Sequence, residues 1–257
     1  MTRVALVTGA ARGIGAATVR ALAADGWAVV ATDRCAPDPR LPYPMGTREE
    51  LEALAGDGVI AIPADTRSHE QLGAAVAEAE RVFGGLDAVV AAAGAVAGGV
   101  PLWEQDEEQL HAVLEINLYG VLVAARVGVP ALLRRPAPRA GRFVAVSSAA
   151  ASVGLPLLAG YGAAKAGVSG VVRALSSELR GTGVTANAVS PGSTRTAMLT
   201  ESARLYGLTG AEDFGKQQAI ERLLEPEEVA AFLCWLAGPA TAGITGADLP
   251  IDGGFTG

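Results

Sequence analysis

Tyr161 and Lys165 stand four residues apart in Tyr-Gly-Ala-Ala-Lys, with Ser148 thirteen positions upstream of the tyrosine. Residues i and i+4 share one face of a helix, so this pair would present a phenol and an ammonium to the same cleft. A free phenol with a pKa near ~10 is no base at neutral pH, whereas a cation held beside it favours the phenolate. Bringing that value to about 7 takes roughly 4 kcal/mol of differential stabilisation, at ~1.36 kcal/mol per unit. The chemistry within reach of such a pair is proton transfer to and from a substrate oxygen. An exposed Lys beside a half-buried ring is the commoner origin of a Tyr–Lys pair at this spacing, so the assignment needs support from elsewhere in the chain.

Support comes from Thr8-Gly9-Ala-Ala-Arg12-Gly13-Ile14-Gly15, which follows a Val-Ala-Leu-Val run and opens a helical segment. Glycines between a strand and a helix permit a tight turn and let a pyrophosphate approach the backbone, while the helix N-terminus offers unpaired N–H groups. The spacing is Gly-x-x-x-Gly-x-Gly, and no Lys-Ser or Lys-Thr follows, which excludes a Walker A loop. Asp33, eighteen residues after Gly15, ends the next apolar run, where a carboxylate accepts from the adenosine ribose hydroxyls and repels a 2′-phosphate. NAD(H) is therefore expected over NADP(H). Arg34 pulls the other way, since an arginine here is the usual holder of that phosphate; its plainer reading is a solvated surface charge.

These residues need a frame to position them. Short apolar runs near 3–8, 27–33, 58–64, 86–93, 142–148, 184–190 and 247–251 alternate with helical segments near 14–25, 47–55, 69–84, 104–132, 159–180 and 226–237. Continuous Val- and Ala-rich strands alternating with helices predict an α/β fold, a doubly wound parallel sheet of about seven strands with helices on both faces. No linker divides the chain, so residues 1–257 are expected to form one domain. Two stretches break the rhythm. Residues 35–46 hold four prolines and read as an ordered insertion, and residues 192–221, beyond the sixth strand, read as a substrate-covering lid.

Composition narrows the function classes. A net charge of −7 with no Lys/Arg cluster argues against a nucleic-acid partner. Cys35 and Cys234 are the only cysteines and His69 and His111 the only histidines, none at metal-ligand spacing, so no metal site is expected and the cytoplasm is the expected compartment. Residues 143–164 carry no charge over 22 positions, but serines, glycines and Pro156 interrupt them, which points to a buried strand and loop and away from a membrane span.

The assembled motifs resemble the short-chain dehydrogenase/reductase family over essentially the whole chain. The matching elements are Thr8-Gly9-x-x-x-Gly13-x-Gly15, Asp65, Asn117, Ser148, Tyr161-x-x-x-Lys165, Pro191-Gly192 followed by Thr196, and Asp252-Gly253-Gly254. The resemblance implies a Rossmann-like domain and hydride transfer between a nicotinamide and an alcohol or carbonyl. It assigns the general base to Tyr161, phenol activation and ribose binding to Lys165, substrate-oxygen binding to Ser148, and a water in a proton path to Asn117, whose plainer and compatible reading is an amide capping a helix kink. It places Asp65 at adenine and Pro191, Gly192, Thr194 and Thr196 at the carboxamide, and counts Arg12, Ile14, Thr66, Ala93 and Gly94 among the cofactor contacts, with Gly94 allowing close backbone approach. Thr196 reads equally well as a helix N-cap. Where the family commonly has Asn-Asn-Ala-Gly, this chain has Ala91-Ala92-Ala93-Gly94, which removes two amide side chains near the ribose and the sheet.

Asp33-Arg-Cys-Ala, the Pro-rich insertion, Thr47-Arg-Glu-Glu-Leu and the ending Asp252-Gly-Gly-Phe-Thr-Gly resemble the mycofactocin-associated subgroup. That resemblance implies a retained NAD(H) whose electrons pass to mycofactocin, a peptide-derived redox carrier. The C-terminal run from Ile244 resembles the edge segment through which family members form homotetramers. The expected activity is NAD-dependent oxidation of an apolar secondary alcohol or reduction of its ketone. An NADPH-dependent carbonyl or 3-oxoacyl reductase and a non-catalytic nucleotide-binding redox sensor are the alternatives.

Overall fold

The seven apolar runs form seven strands: β1 Val4–Thr8, β2 Ala28–Asp33, β3 Val59–Pro63, β4 Ala88–Ala91, β5 Arg142–Val146, β6 Thr185–Pro191 and β7 Asp248–Ile251. The computed structural model describes residues 2–257, and all seven strands join one parallel sheet in the order β3-β2-β1-β4-β5-β6-β7. A parallel sheet covered on both faces needs apolar side chains in both directions, which explains runs without polar alternation. Val4 and Leu6 point into one core with α3 (His69–Phe83), α5 (Gly120–Arg134) and α6 (Ala159–Glu178). Ala5 and Val7 point into the other, with α1 (Gly13–Ala24), α2 (Arg48–Glu52) and α8 (Pro226–Ala237). Register brings the carboxyl ends together: Thr8 lies opposite Thr32 on one side and Ala91 on the other.

The segment expected as one helix over 104–132 is a rod in three parts, α4 (Glu107–Leu114), a π turn (Glu115–Tyr119) and α5. Asn117 causes the break. Its Nδ2 donates to the Val113 carbonyl at 2.8 Å, replacing a backbone partner in the i→i−4 ladder. The rod Glu107–Arg134 is long and apolar enough to cross a membrane by length and composition. Its apolarity has a local explanation, since Val121, Ala124, Ala131 and Leu132 are buried in the core against β4 and β5.

The insertion 35–46 forms no regular element and ends at Thr47, which caps α2 in a reciprocal pair with Glu50. In the stretch 192–221, α7 (Ala197–Leu205) and a 3₁₀ turn (Ala211–Gln217) stand where amphipathic pieces were expected.

Candidate active site

β1 lies between β2 and β4, so the chain leaves the sheet toward opposite sides at neighbouring carboxyl ends, and a crevice opens there. It has a volume of about 770 Å³. Of the sequence-predicted site residues, all but Asn117 line it.

The glycine turn forms its floor. Gly9 has φ +66°, and a Cβ there would lie 2.5 Å from the Ala93 Cα; one on Gly15 would lie 2.0 Å from the Gly9 carbonyl oxygen. Backbone therefore packs on backbone, leaving the surface of the turn open. Arg12, at the N-cap of α1, makes no side-chain cap and no acidic residue sits in the first turn, so the N–H groups of Gly13, Ile14 and Gly15 keep their capacity for an anion. This cradle fits the pyrophosphate of a dinucleotide. The Arg12 side chain instead reaches the Pro44 carbonyl in the insertion.

Asp33 ends β2 with its carboxylate held by the backbone N–H of Ala11 at 3.2 Å and of Cys35 at 3.1 Å. Arg34 turns away from it, bonding Asp38 at 3.1 Å and Asp65 at 3.4 Å. Asp65 also carries Arg67, at 2.6 Å. Thr66 donates to the Gly120 carbonyl at 3.5 Å, tying this wall to α5. Across the crevice, the Ala93 N–H bonds the Thr8 hydroxyl at 3.2 Å, so the Ala91–Gly94 segment is tied to β1 through Thr8. At the end of β6, Pro191 and Gly192 lead to Thr194, whose hydroxyl donates back to the Gly192 carbonyl, and to Thr196, which caps α7 through the Leu199 N–H. A Cβ on Gly13 would lie 3.2 Å from a methyl carbon of Thr196, so this loop closes over the glycine turn.

Tyr161 and Lys165 project from the first turns of α6 into the same crevice as Ser148, just beyond β5. The Lys165 Nζ donates to the Val146 carbonyl at 2.8 Å and lies 5.8 Å from the centre of the Tyr161 ring. Ser147 fixes the helix from beneath, its hydroxyl donating to the Lys165 carbonyl. The Ser148 hydroxyl accepts from the Ala150 N–H at 3.1 Å. Burial pushes the Tyr161 phenol up, with Ser148 acting in the opposite direction, and brings the Lys165 ammonium down to about 8. Desolvation thus shifts both groups toward their neutral forms. Asn117 is fully buried behind the crevice, its Oδ1 accepting from the Ala95 N–H and its Nδ2 bonding the Ala95 and Val113 carbonyls.

Beyond Tyr161 the wall is apolar, formed by Leu155, Pro156, Leu158, Met198, Leu199 and Phe214. Tyr206 of the α7 end bonds the Pro156 carbonyl at 2.6 Å and packs edge-on to Phe214, joining the 192–221 segment to the loop before α6. Sequence reasoning located the insertion and missed its working residues. Asp38, Arg40, Arg67, Glu115 and Tyr43 gather there, and the Tyr43 oxygen accepts from the Val96 N–H at 3.0 Å. Only the Asp and Arg punctuating a Pro-rich run signalled them.

A family model described as Enoyl-(Acyl carrier protein) reductase matches residues 9–256. The chain is 38% identical over 256 residues to cis-4-hydroxycyclohexanecarboxylate dehydrogenase of Sinomonas cyclohexanicum, covering 99% of this chain and 96% of that protein. It is 34% identical over 266 residues to an uncharacterized NAD-dependent oxidoreductase of Mycobacterium tuberculosis, covering 98% and 95%. The crystal structure of carveol dehydrogenase from Mycobacterium avium in complex with NAD superposes with a TM-score of 0.92 at 31% identity, covering 98% of this chain and 97% of that one.

The floor of the crevice tolerates no side chain at Gly9. Gly9→Ala forces a left-handed backbone on a Cβ that meets Ala93, and an expected loss of about 2 kcal/mol or more in urea denaturation checks this packing.

Proposed function

The chain belongs to the short-chain dehydrogenase/reductase family, and from that premise we propose that it oxidises an apolar secondary alcohol with NAD, or reduces the matching ketone with NADH. Family membership makes it an oxidoreductase acting on CH–OH groups with a nicotinamide nucleotide. The observation that carries the finer reading is the meeting of Ser148, Tyr161 and Lys165 with the glycine turn in one crevice whose far wall is apolar.

In this reading the Gly9–Gly15 turn and the first turn of α1 hold the pyrophosphate, and Asp33 takes the adenosine ribose. Asp65 and Thr66 border the adenine, Ala93 and Gly94 the ribose, and the Pro191 to Thr196 loop the carboxamide. When bound, the oxidised nicotinamide supplies the hydride acceptor and a positive charge. Tyr161 takes the alcohol proton, Lys165 holds the ammonium beside it, and Ser148 binds the oxygen as charge develops. Asn117 keeps the π turn and the segment after β4 in place behind Lys165.

The insertion supports retention of the nucleotide. It is latched to the glycine turn through Arg12 and Pro44, to the post-β4 segment through Tyr43 and Val96, and to α3's approach through Asp38 and Arg67 at 2.9 Å. A cover of this kind slows release, so reoxidation without exchange, by mycofactocin, completes the cycle. The apolar Leu249-Pro250-Ile251 edge strand is the surface for a homotetramer; light scattering giving a monomer would contradict that assembly.

With a panel of secondary alcohols and an artificial electron acceptor, turnover is expected that Tyr161→Phe lowers about 10³-fold, within the usual range for a general base. Absence of such turnover contradicts the activity, and absence of NAD(H) from purified protein denatured in neutral methanol contradicts retention.

Oxidation needs the unprotonated phenol, so kcat/KM rises with pH along an acidic limb whose midpoint belongs to the Tyr161–Lys165 pair as coupled groups. Burial raises the phenol and the Ser148 hydrogen bond opposes that rise, while burial brings the Lys165 ammonium down to about 8; a protonated ammonium 5.8 Å from the ring centre favours the phenolate. Lys165→Met is expected to move the limb upward by about one unit or more, read from a pH–rate profile; an unmoved limb removes Lys165 from this role.

A further inference from the structure

Asp38, in the insertion, is a carboxylate 2% exposed that receives three guanidinium groups. Arg34 bonds it at 3.1 Å, Arg40 at 2.9 Å and Arg67 at 2.9 Å. Asp65 and Glu115 complete the cluster, with Arg34 and Arg67 on Asp65 and Arg40 on Glu115 at 2.8 Å. Three positive and three negative groups balance. Hydrogen bonds from Arg40, and then from Arg67, hold the Asp38 carboxyl far below its ordinary range, so the charge persists at any working pH.

Arg34, Asp38, Asp65 and Arg67 line the same crevice as Asp33. An arginine directly after Asp33, with a second close by after the neighbouring strand β3, is the chemical equipment for a 2′-phosphate, because guanidinium groups bind phosphate oxygens in pairs. Here neither arginine points its charge at an unoccupied position.

We propose that Asp38 is a specificity-determining residue of the nucleotide site: it withholds Arg34 and Arg67 from a 2′-phosphate, so that NADP(H) is refused by lost attraction as well as by repulsion from Asp33. This inference rests on the nucleotide reading above. Neutralising Asp38 leaves three guanidinium groups against two carboxylates and leaves Arg34 only its longer, 3.4 Å pair with Asp65, from which it can swing toward the ribose. Asp33 keeps its own two backbone N–H partners throughout.

The test is competition. Protein is unfolded in urea, freed of any retained nucleotide by filtration and refolded in equal NAD⁺ and NADP⁺; it is then filtered and denatured, and the bound nucleotides are counted by mass spectrometry. Asp38→Asn is expected to raise the bound NADP:NAD ratio by about fivefold or more, and adding Arg34→Gln to that variant returns it toward wild type. A smaller rise in folded Asp38→Asn overturns the proposal. Should that variant fail to fold, Arg34→Gln alone decides: an arginine already withheld leaves the wild-type ratio within about twofold, whereas a fivefold fall means that it already serves the phosphate. A merely structural Asp38 would weaken both nucleotides together and leave the ratio unmoved. Wild-type protein that holds neither nucleotide overturns the nucleotide reading itself.

Discussion

The place of β1 between β2 and β4 is the constraint on which the site depends. At the ends of β1 and β4 the chain turns toward opposite faces, which opens the crevice between them. What fills the floor is backbone. Gly15 abuts the Gly9 carbonyl and Gly9 abuts Ala93, so the turn, the start of α1 and the loop after β4 meet at contact distance. The crevice walls hang from that junction: Asp33 by the N–H of Ala11, Ala93 by the hydroxyl of Thr8, and the Thr196 loop by its contact with Gly13.

Electrostatics within the crevice follow from burial. Tyr161 and Lys165 sit on one side of α6 and are drawn inward by β5, where the Val146 carbonyl anchors the ammonium. Low water content penalises both the phenolate and the ammonium, so each shift runs toward the neutral form. A second positive charge brought next to the phenol would favour its ionised form, which is what the proposed alcohol oxidation requires. At the other end, charges are numerous and paired. The arginines near Asp33 are absorbed by Asp38, Asp65 and Glu115, leaving little free positive potential where adenosine would lie.

The strands, the glycine turn and the Tyr161–Lys165 pair were legible in the sequence because each has a short-range signature: apolar runs, glycines between a strand and a helix, and i,i+4 spacing. The break at Glu115–Tyr119 was legible only as a kink that the Asn117 amide could cap, and its π form was not, since apolar periodicity runs through it. The insertion's bonding was equally hidden. Asp38 meets Arg67 across 29 positions and Arg40 meets Glu115 across 75, and a charged residue in a Pro-rich loop otherwise reads as solvated. Thr196 was legible in both its aspects, as helix cap and as crevice wall, because one backbone position satisfies both.

The central claim is that a carbinol hydride reaches a nicotinamide in this crevice while Tyr161 takes the hydroxyl proton. It is tested most directly by a single turnover with a secondary alcohol deuterated at the carbinol carbon, followed by release in cold neutral methanol and mass spectrometry of the nucleotide. The account predicts reduced nucleotide carrying the deuterium with wild-type protein, and almost none with Tyr161→Phe. Reduced nucleotide without deuterium, or oxidised alcohol with the nucleotide unchanged, would contradict it.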